Sequence, residues 1–177
     1  MARVATEKKA YFSGVKSVEE LKSKYHELVK IHHPDIGGDE EIMKSINAEF
    51  DKVFAKVKDI HLKFDGSTWE AKGERVDNQK ASEYRKIIMD MFPVILTLKG
   101  VVIEIVGCWI WITGDTKAYK DILKGCGFWF SGQKQAWYFN GSPKKSKRIS
   151  YYKSYSQVRD HWGATEIKTD DIKTIRG

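Results

Sequence analysis

Apolar side chains return at helical intervals at Leu21, Tyr25, Leu28 and Ile31, while Lys22, Lys24, His26 and Lys30 fall largely on other faces, which predicts an amphipathic helix. Ser17-Val18-Glu19-Glu20 before it reads as a capping box, with the Ser17 hydroxyl on an orphan amide and Glu20 reaching back to the cap. The helix stops near His32, because Pro34 disfavours helical geometry at His33. Gly37-Gly38-Asp39 then predicts a turn with Asp39 as the next N-cap. Ile42 or Met43, Ile46, Phe50, Val53 and Val57 line one face of a second helix. A short loop between them makes the pair an antiparallel hairpin with the two stripes facing each other.

Phe64 to Gln79 is polar, carries Gly66 and Gly73 and follows neither period, so it reads as a linker. Tyr84, Ile87, Ile88, Met91, Ile95 and Leu98 keep helical spacing through Pro93, predicting a kinked helix with Gly100 as its C-terminal cap. Val101–Val106 and Trp109–Thr113 are β-branched and aromatic runs around Gly107-Cys108, a hairpin signal. Gly114-Asp115 opens a short helix with Tyr119, Ile122 and Leu123 inward and Gly125 at its end. Phe128–Ser131 and Gln135–Phe139 form a second hairpin around Gly132-Gln133. Ser156 to Trp162 forms a short helix before a frayed end. The expected fold is α+β: an N-terminal helical hairpin, then a small antiparallel ββαββ sheet module with helical cover. Its expected units are residues 1–64, a linker 65–79, the aromatic-rich module 80–142 and a basic tail 143–177.

The chain has 177 residues, 41% hydrophobic and 31% charged, which provides a core and excludes simple disorder. The formal charge is +7, and residues 143–177 hold nine basic against four acidic side chains, so basicity is concentrated in the tail. Two cysteines, Cys108 and Cys126, make neither a disulfide framework nor a four-cysteine zinc module, which fits a reducing, cytoplasmic setting. No secretory signal and no membrane anchor are read, because the apolar stretch Met91–Ile112 is interrupted by Pro93, Lys99, Gly100, Glu104 and Gly107. The five histidines lack metal-ligand spacing, carboxylates are few in the second unit, and phosphate-loop and dinucleotide fingerprints are missing. Neither intrinsic enzyme activity nor a metal or cofactor is expected.

His33-Pro34-Asp35 lies between the two N-terminal helices. Together with Tyr25-His26-Glu27-Leu28-Val29-Lys30-Ile31-His32 before it and Ile46-Asn47-Ala48-Glu49-Phe50 after it, this stretch resembles a J-domain of the DnaJ co-chaperone family. The resemblance implies that the His-Pro-Asp turn and the basic face of the preceding helix dock on a DnaK-class chaperone and stimulate its ATP hydrolysis. It thus nominates His33, Pro34 and Asp35 as the docking turn and Lys22, Lys24, His26 and Lys30 as its cationic rim. In physical terms, Pro34 presents Asp35 on a constrained turn, where a partner arginine meets a carboxylate at little entropic cost. The resemblance covers about Tyr11 to Lys58 and departs from the family in places. The first helix shrinks to Ala10–Gly14, no fourth helix shows in Ile60–Gly66, and Lys30-Ile31 reverses the usual apolar-then-basic order. The Gly/Phe linker, zinc-binding cysteine repeats and client-binding β domains are missing. A specialised J-protein is therefore implied, similar to short bacteriophage or mobile-element proteins that follow the J-like unit with a Trp-Ile-Trp-Ile-Thr-Gly-Asp-Thr segment.

Strand alternation puts Trp109 and Trp111 on one sheet face and Ile110 and Ile112 on the other. Two uses of these rings are open. They form a core, or, left uncovered beside Lys134, Lys144, Lys145, Lys147 and Arg148, they form a platform for nucleic-acid bases with cations for the phosphates. The expected function is a co-chaperone or adaptor. The alternatives are nucleic-acid binding, or contact with a host or defence protein, with the hairpin as a scaffold only.

Overall fold

The computed structural model describes residues 10–63, 65–70, 78–141 and 154–167. Helix α1 (Val18–His32) starts where expected, with the Ser17 hydroxyl accepting the Glu20 amide at 3.2 Å. The Glu20 carboxylate accepts the amide of Lys16 at 2.7 Å, one residue before the cap it was expected to reach. Helix α2 (Glu40–Val57) is capped by Asp39, whose Oδ1 accepts the Ile42 amide at 2.9 Å. The two helices face each other, with the Tyr25 ring 4.5 Å from that of Phe50 and the Tyr25 hydroxyl donating to Asn47 at 2.8 Å.

The stretch expected as a linker contributes the second strand of a small hairpin, whose first strand lies just before it. Strand β1 (Ile60–Leu62) pairs antiparallel with β2 (Thr68–Glu70), and Glu19 of α1 holds it by accepting from His61 and from the Leu62 amide. Helix α3 (Asn78–Ile95) runs through Pro93. It ends at Ile95 rather than Gly100, which instead leads into the sheet with φ 71°. The Arg85 guanidinium on α3 grips Asp51 of α2 with two bonds, at 2.9 and 2.8 Å.

The sheet is built from β3 (Val101–Val106), β4 (Trp109–Gly114), β5 (Trp129–Ser131), β6 (Ala136–Phe139) and β7 (Thr165–Ile167), in the order β5-β6-β4-β3-β7, with every neighbour antiparallel. Helix α4 (Lys120–Gly125) gives the ββαββ order, and α5 (Tyr155–Trp162) precedes β7. The fold is thus the expected helical hairpin joined to a ββαββ module. The additional edge strand β7 comes from the stretch expected to be frayed. Within α4, Leu123 is buried but Ile122 is 44% exposed, so the inward placement expected of Ile122 is corrected. A six-residue helix turns only one narrow face to the sheet.

The two sheet faces go to different cores. Ile103, Ile105, Ile110, Ile112, Trp137 and Phe139 join α1, α2 and α3 in one continuous cluster that runs from Phe12 to Ile167. Val106, Trp111, Ala136 and Tyr138 form a smaller one beneath Val158 of α5. Among the described residues, no helix is long and apolar enough to cross a membrane.

Candidate functional site

Helix α1 breaks at His33, whose backbone is extended at φ −65° and ψ 129° because Pro34 crowds the helical alternative. Pro34 then opens a 3-10 turn through Ile36. The His33 carbonyl accepts two amides, from Ile36 at 3.2 Å and Gly38 at 2.9 Å, and buried Ile36 anchors the loop from below. Two glycines are required by geometry. Gly37 has φ 94°, and a Cβ on Gly38 falls 2.2 Å from the His32 carbonyl carbon.

The imidazole of His33 is 3% exposed. Its Nε2 lies 2.8 Å from the Met89 carbonyl on α3, and its Nδ1 lies 3.1 Å from the Asp35 amide. A carbonyl only accepts and an amide only donates, so the ring is neutral, protonated on Nε2 and accepting on Nδ1. Pro34 and Asp35 are exposed at the apex. Of the three turn residues, then, the histidine fixes the loop from inside while the proline and the aspartate face outward.

The expected cationic rim needs correction. His26 is fully buried between α1 and α3, its Nε2 2.6 Å from the Tyr84 hydroxyl and its ring 6.2 Å from Phe92. Burial, reinforced by nearby Lys22, pushes its pKa down to about 3, so it is a neutral core residue and not a surface cation. The physical reason is a second inward stripe, in which half-buried Lys22 is followed by buried His26 and Val29 of α1 and by His33 just past its end, at three- and four-residue spacing toward α3. The lysines are half-buried and turned to their own chain. Lys22 Nζ lies 4.7 Å above the Tyr84 ring, Lys24 donates to the Ser13 carbonyl at 3.2 Å, and Lys30 reaches the Glu166 carbonyl on β7 at 3.4 Å.

One surface residue was placed wrongly by periodicity. Ile31, expected in the inward stripe, is 58% exposed on the last turn of α1, and Val29 is buried in its stead. It is the most exposed of the large apolar side chains described.

The aromatic face is not an open platform. Trp111 is 2% exposed, its ring 4.9 Å from Tyr155 of α5 and 5.5 Å from Tyr138, while Trp109 is half-buried and stacks on both Trp111 and Tyr138. Helix α5 is locked down by Glu104, a buried carboxylate in an otherwise apolar strand. Its Oε2 accepts from the Tyr155 hydroxyl at 2.7 Å and its Oε1 pairs with Arg159 at 2.8 Å. The sequence offered one sign of this lock, a lone carboxylate inside Val-Val-Ile-Glu-Ile-Val, which demands a buried partner. Lys134 is half-buried beside the β5–β6 turn, and burial lowers its pKa. Lys144, Lys145, Lys147 and Arg148 lie outside the described residues.

Among the described residues, no group of three or more His, Cys, Asp or Glu side chains is placed to hold a metal ion. Burial raises the Cys108 thiol to about 11 and that of Cys126 in the same direction, so neither is an activated thiolate. No protein-family model, curated protein or solved structure shows significant similarity to this chain.

Proposed function

We propose that the chain is a specialised DnaJ-like co-chaperone or adaptor, which docks on a DnaK-class chaperone through the His33-Pro34-Asp35 turn and joins it to a second partner. The observation that carries this reading is the outward Asp35 on a turn fixed at its base by the His33 ring. A turn whose backbone is already held loses little entropy on binding, and a carboxylate carried on it suits two parallel bonds from a partner guanidinium. The docking surface in this reading is Asp35, Pro34 and exposed Ile31, a smaller and more apolar contact than a lysine-rimmed helix. Lys22, Lys24 and Lys30 contribute to the local field that steers an acidic partner rather than to direct pairing. The chain performs no turnover of its own and acts on the ATP hydrolysis of its partner.

Purified protein is expected to raise the ATPase rate of a bacterial DnaK-class chaperone. Asp35→Asn, which keeps the shape and removes the charge, is expected to abolish that rise with an unchanged circular dichroism spectrum. Absence of stimulation by the unmodified chain rejects the reading.

A further inference from the structure

Met89, whose carbonyl receives the His33 ring, stands four residues before Pro93 in α3. In an uninterrupted helix the amide of residue 93 bonds to the carbonyl of residue 89. Proline has no N–H, and its ring clashes with that same carbonyl and tilts it off the helix axis. The acceptor therefore stands open on α3, next to the end of α1. His33 fills it at 2.8 Å, although 56 residues separate the two in sequence.

We infer that Pro93 is a positioning residue of the docking turn: by withholding its amide it leaves the Met89 carbonyl to His33, and the ring so anchored holds the Asp35 amide. The relay has a fixed direction. The Met89 carbonyl draws the ring proton to Nε2, which leaves Nδ1 with the lone pair that accepts Asp35 N–H at 3.1 Å. An imidazole suits the task because it carries a donor and an acceptor on one rigid plane. A proline suits position 93 because it both withholds its amide and, through its ring, turns the Met89 carbonyl outward; any other residue returns a donor along the helix axis and lets that carbonyl swing back away from α1. The functional weight of this relay rests on the docking role proposed above, whereas the relay itself does not.

Two measurements on the full chain test it. In the unmodified protein, long-range proton–nitrogen NMR is expected to show His33 protonated on Nε2 and bare on Nδ1; a ring protonated on Nδ1 overturns the relay without any variant. In Pro93→Ala the new amide is expected to take the Met89 carbonyl. Hydrogen exchange at the Asp35 amide then accelerates by about ten-fold, the scale of one lost net hydrogen bond, while helical circular dichroism is kept. Exchange that stays at the original rate overturns the role of Pro93. Where the unmodified chain stimulates the chaperone, Pro93→Ala is expected to weaken stimulation, and full stimulation alongside faster exchange overturns the positioning role. Failure of the unmodified chain to stimulate rejects the co-chaperone reading alone, since the tautomer and the exchange rates are read without a partner.

Discussion

Two seams hold helices against the rest of this molecule, and each has polar groups buried at its centre. Between α1 and α3 these are neutral: His26 with Tyr84, and His33 with the Met89 carbonyl. Between α5 and the sheet they are charged: Glu104 between Arg159 and the Tyr155 hydroxyl. The neutral seam belongs to a helix of 15 residues inside the main cluster, while the charged one fixes a helix of eight residues over a satellite cluster. Isolated helices shorter than about 12 residues are marginal in water, so α5 owes its order to docking. A long apolar seam thus tolerates neutral polar groups as its registers, whereas a short one depends on a charge. The candidate docking turn is anchored to the first kind through the His33 ring.

The continuity of that main cluster provides the most severe way to break the comparison. Phe50 of α2 is its hub in the helical half, with ring contacts to Phe12, Tyr25, Phe54 and Tyr84. Phe50→Ala is expected to cost about 3–5 kcal/mol, the range for a fully buried aromatic that leaves a cavity. Apart from Trp69 on β2, the tryptophans belong to the sheet and α5, so in a Trp69→Phe background fluorescence reports there while far-ultraviolet circular dichroism reports the helices. Both signals are expected to lose midpoint together in urea. A fluorescence transition that keeps its original midpoint means that the two halves unfold separately, and the single seam-bound core is wrong.

Acid sharpens the same contrast. In the folded chain His26 titrates near 3, against about 6.5 unfolded, so between these values the unfolded chain binds the extra proton. Stability from this group is complete above about pH 6.5 and falls as pH drops toward 3, by at most about 1.4 kcal/mol per unit. The groups facing it are Lys22 on its own helix and the Tyr84 hydroxyl on α3, neither of which supplies a compensating negative charge. Urea unfolding at pH 7, 5.5 and 4.5, compared with His26→Gln, isolates the slope because the carboxylates common to both proteins cancel. Equal slopes in the two proteins would show that His26 is not neutral at this seam.

The difference between the seams also explains what could be read in advance. Caps at Ser17 and Asp39, the break at Pro34 and the hairpin at Gly107-Cys108 are local events, decided within four residues, and the structure contains each of them. The side of α1 that faces inward was not local. Leu21 and Tyr25 are compatible with either Leu28 and Ile31 or Val29 as the continuing stripe, and α3, contributed by residues far along the chain, selects Val29. His26 and His33 look like surface residues for the same reason, since their partners Tyr84 and Met89 are more than fifty positions away. The strands β1, β2 and β7 have three residues each, too few to show an alternation. The covering of Trp111 depends on α5, a helix of eight residues that buries Val158 and gains its place through Tyr155 and Arg159.

The charged seam offers the mildest and most local test. Replacing Glu104 by Leu gives an apolar residue of similar size but removes both acceptor oxygens, so the Tyr155 hydroxyl and the Arg159 guanidinium lose the carboxylate to which both donate. Arg159 is 47% exposed and regains water, so the loss is the unmet hydrogen bond at the buried end, about 1–3 kcal/mol. Since α5 is tied to the sheet rather than to the main cluster, that loss is expected to appear as local opening. Amides of Tyr155–Trp162 exchange faster and Trp111 becomes accessible to a quencher, while the amides of α1 and α3 keep their protection. Uniform acceleration through α1 and α3 would mean that the satellite cluster is a working part of the main core and that the two seams are one.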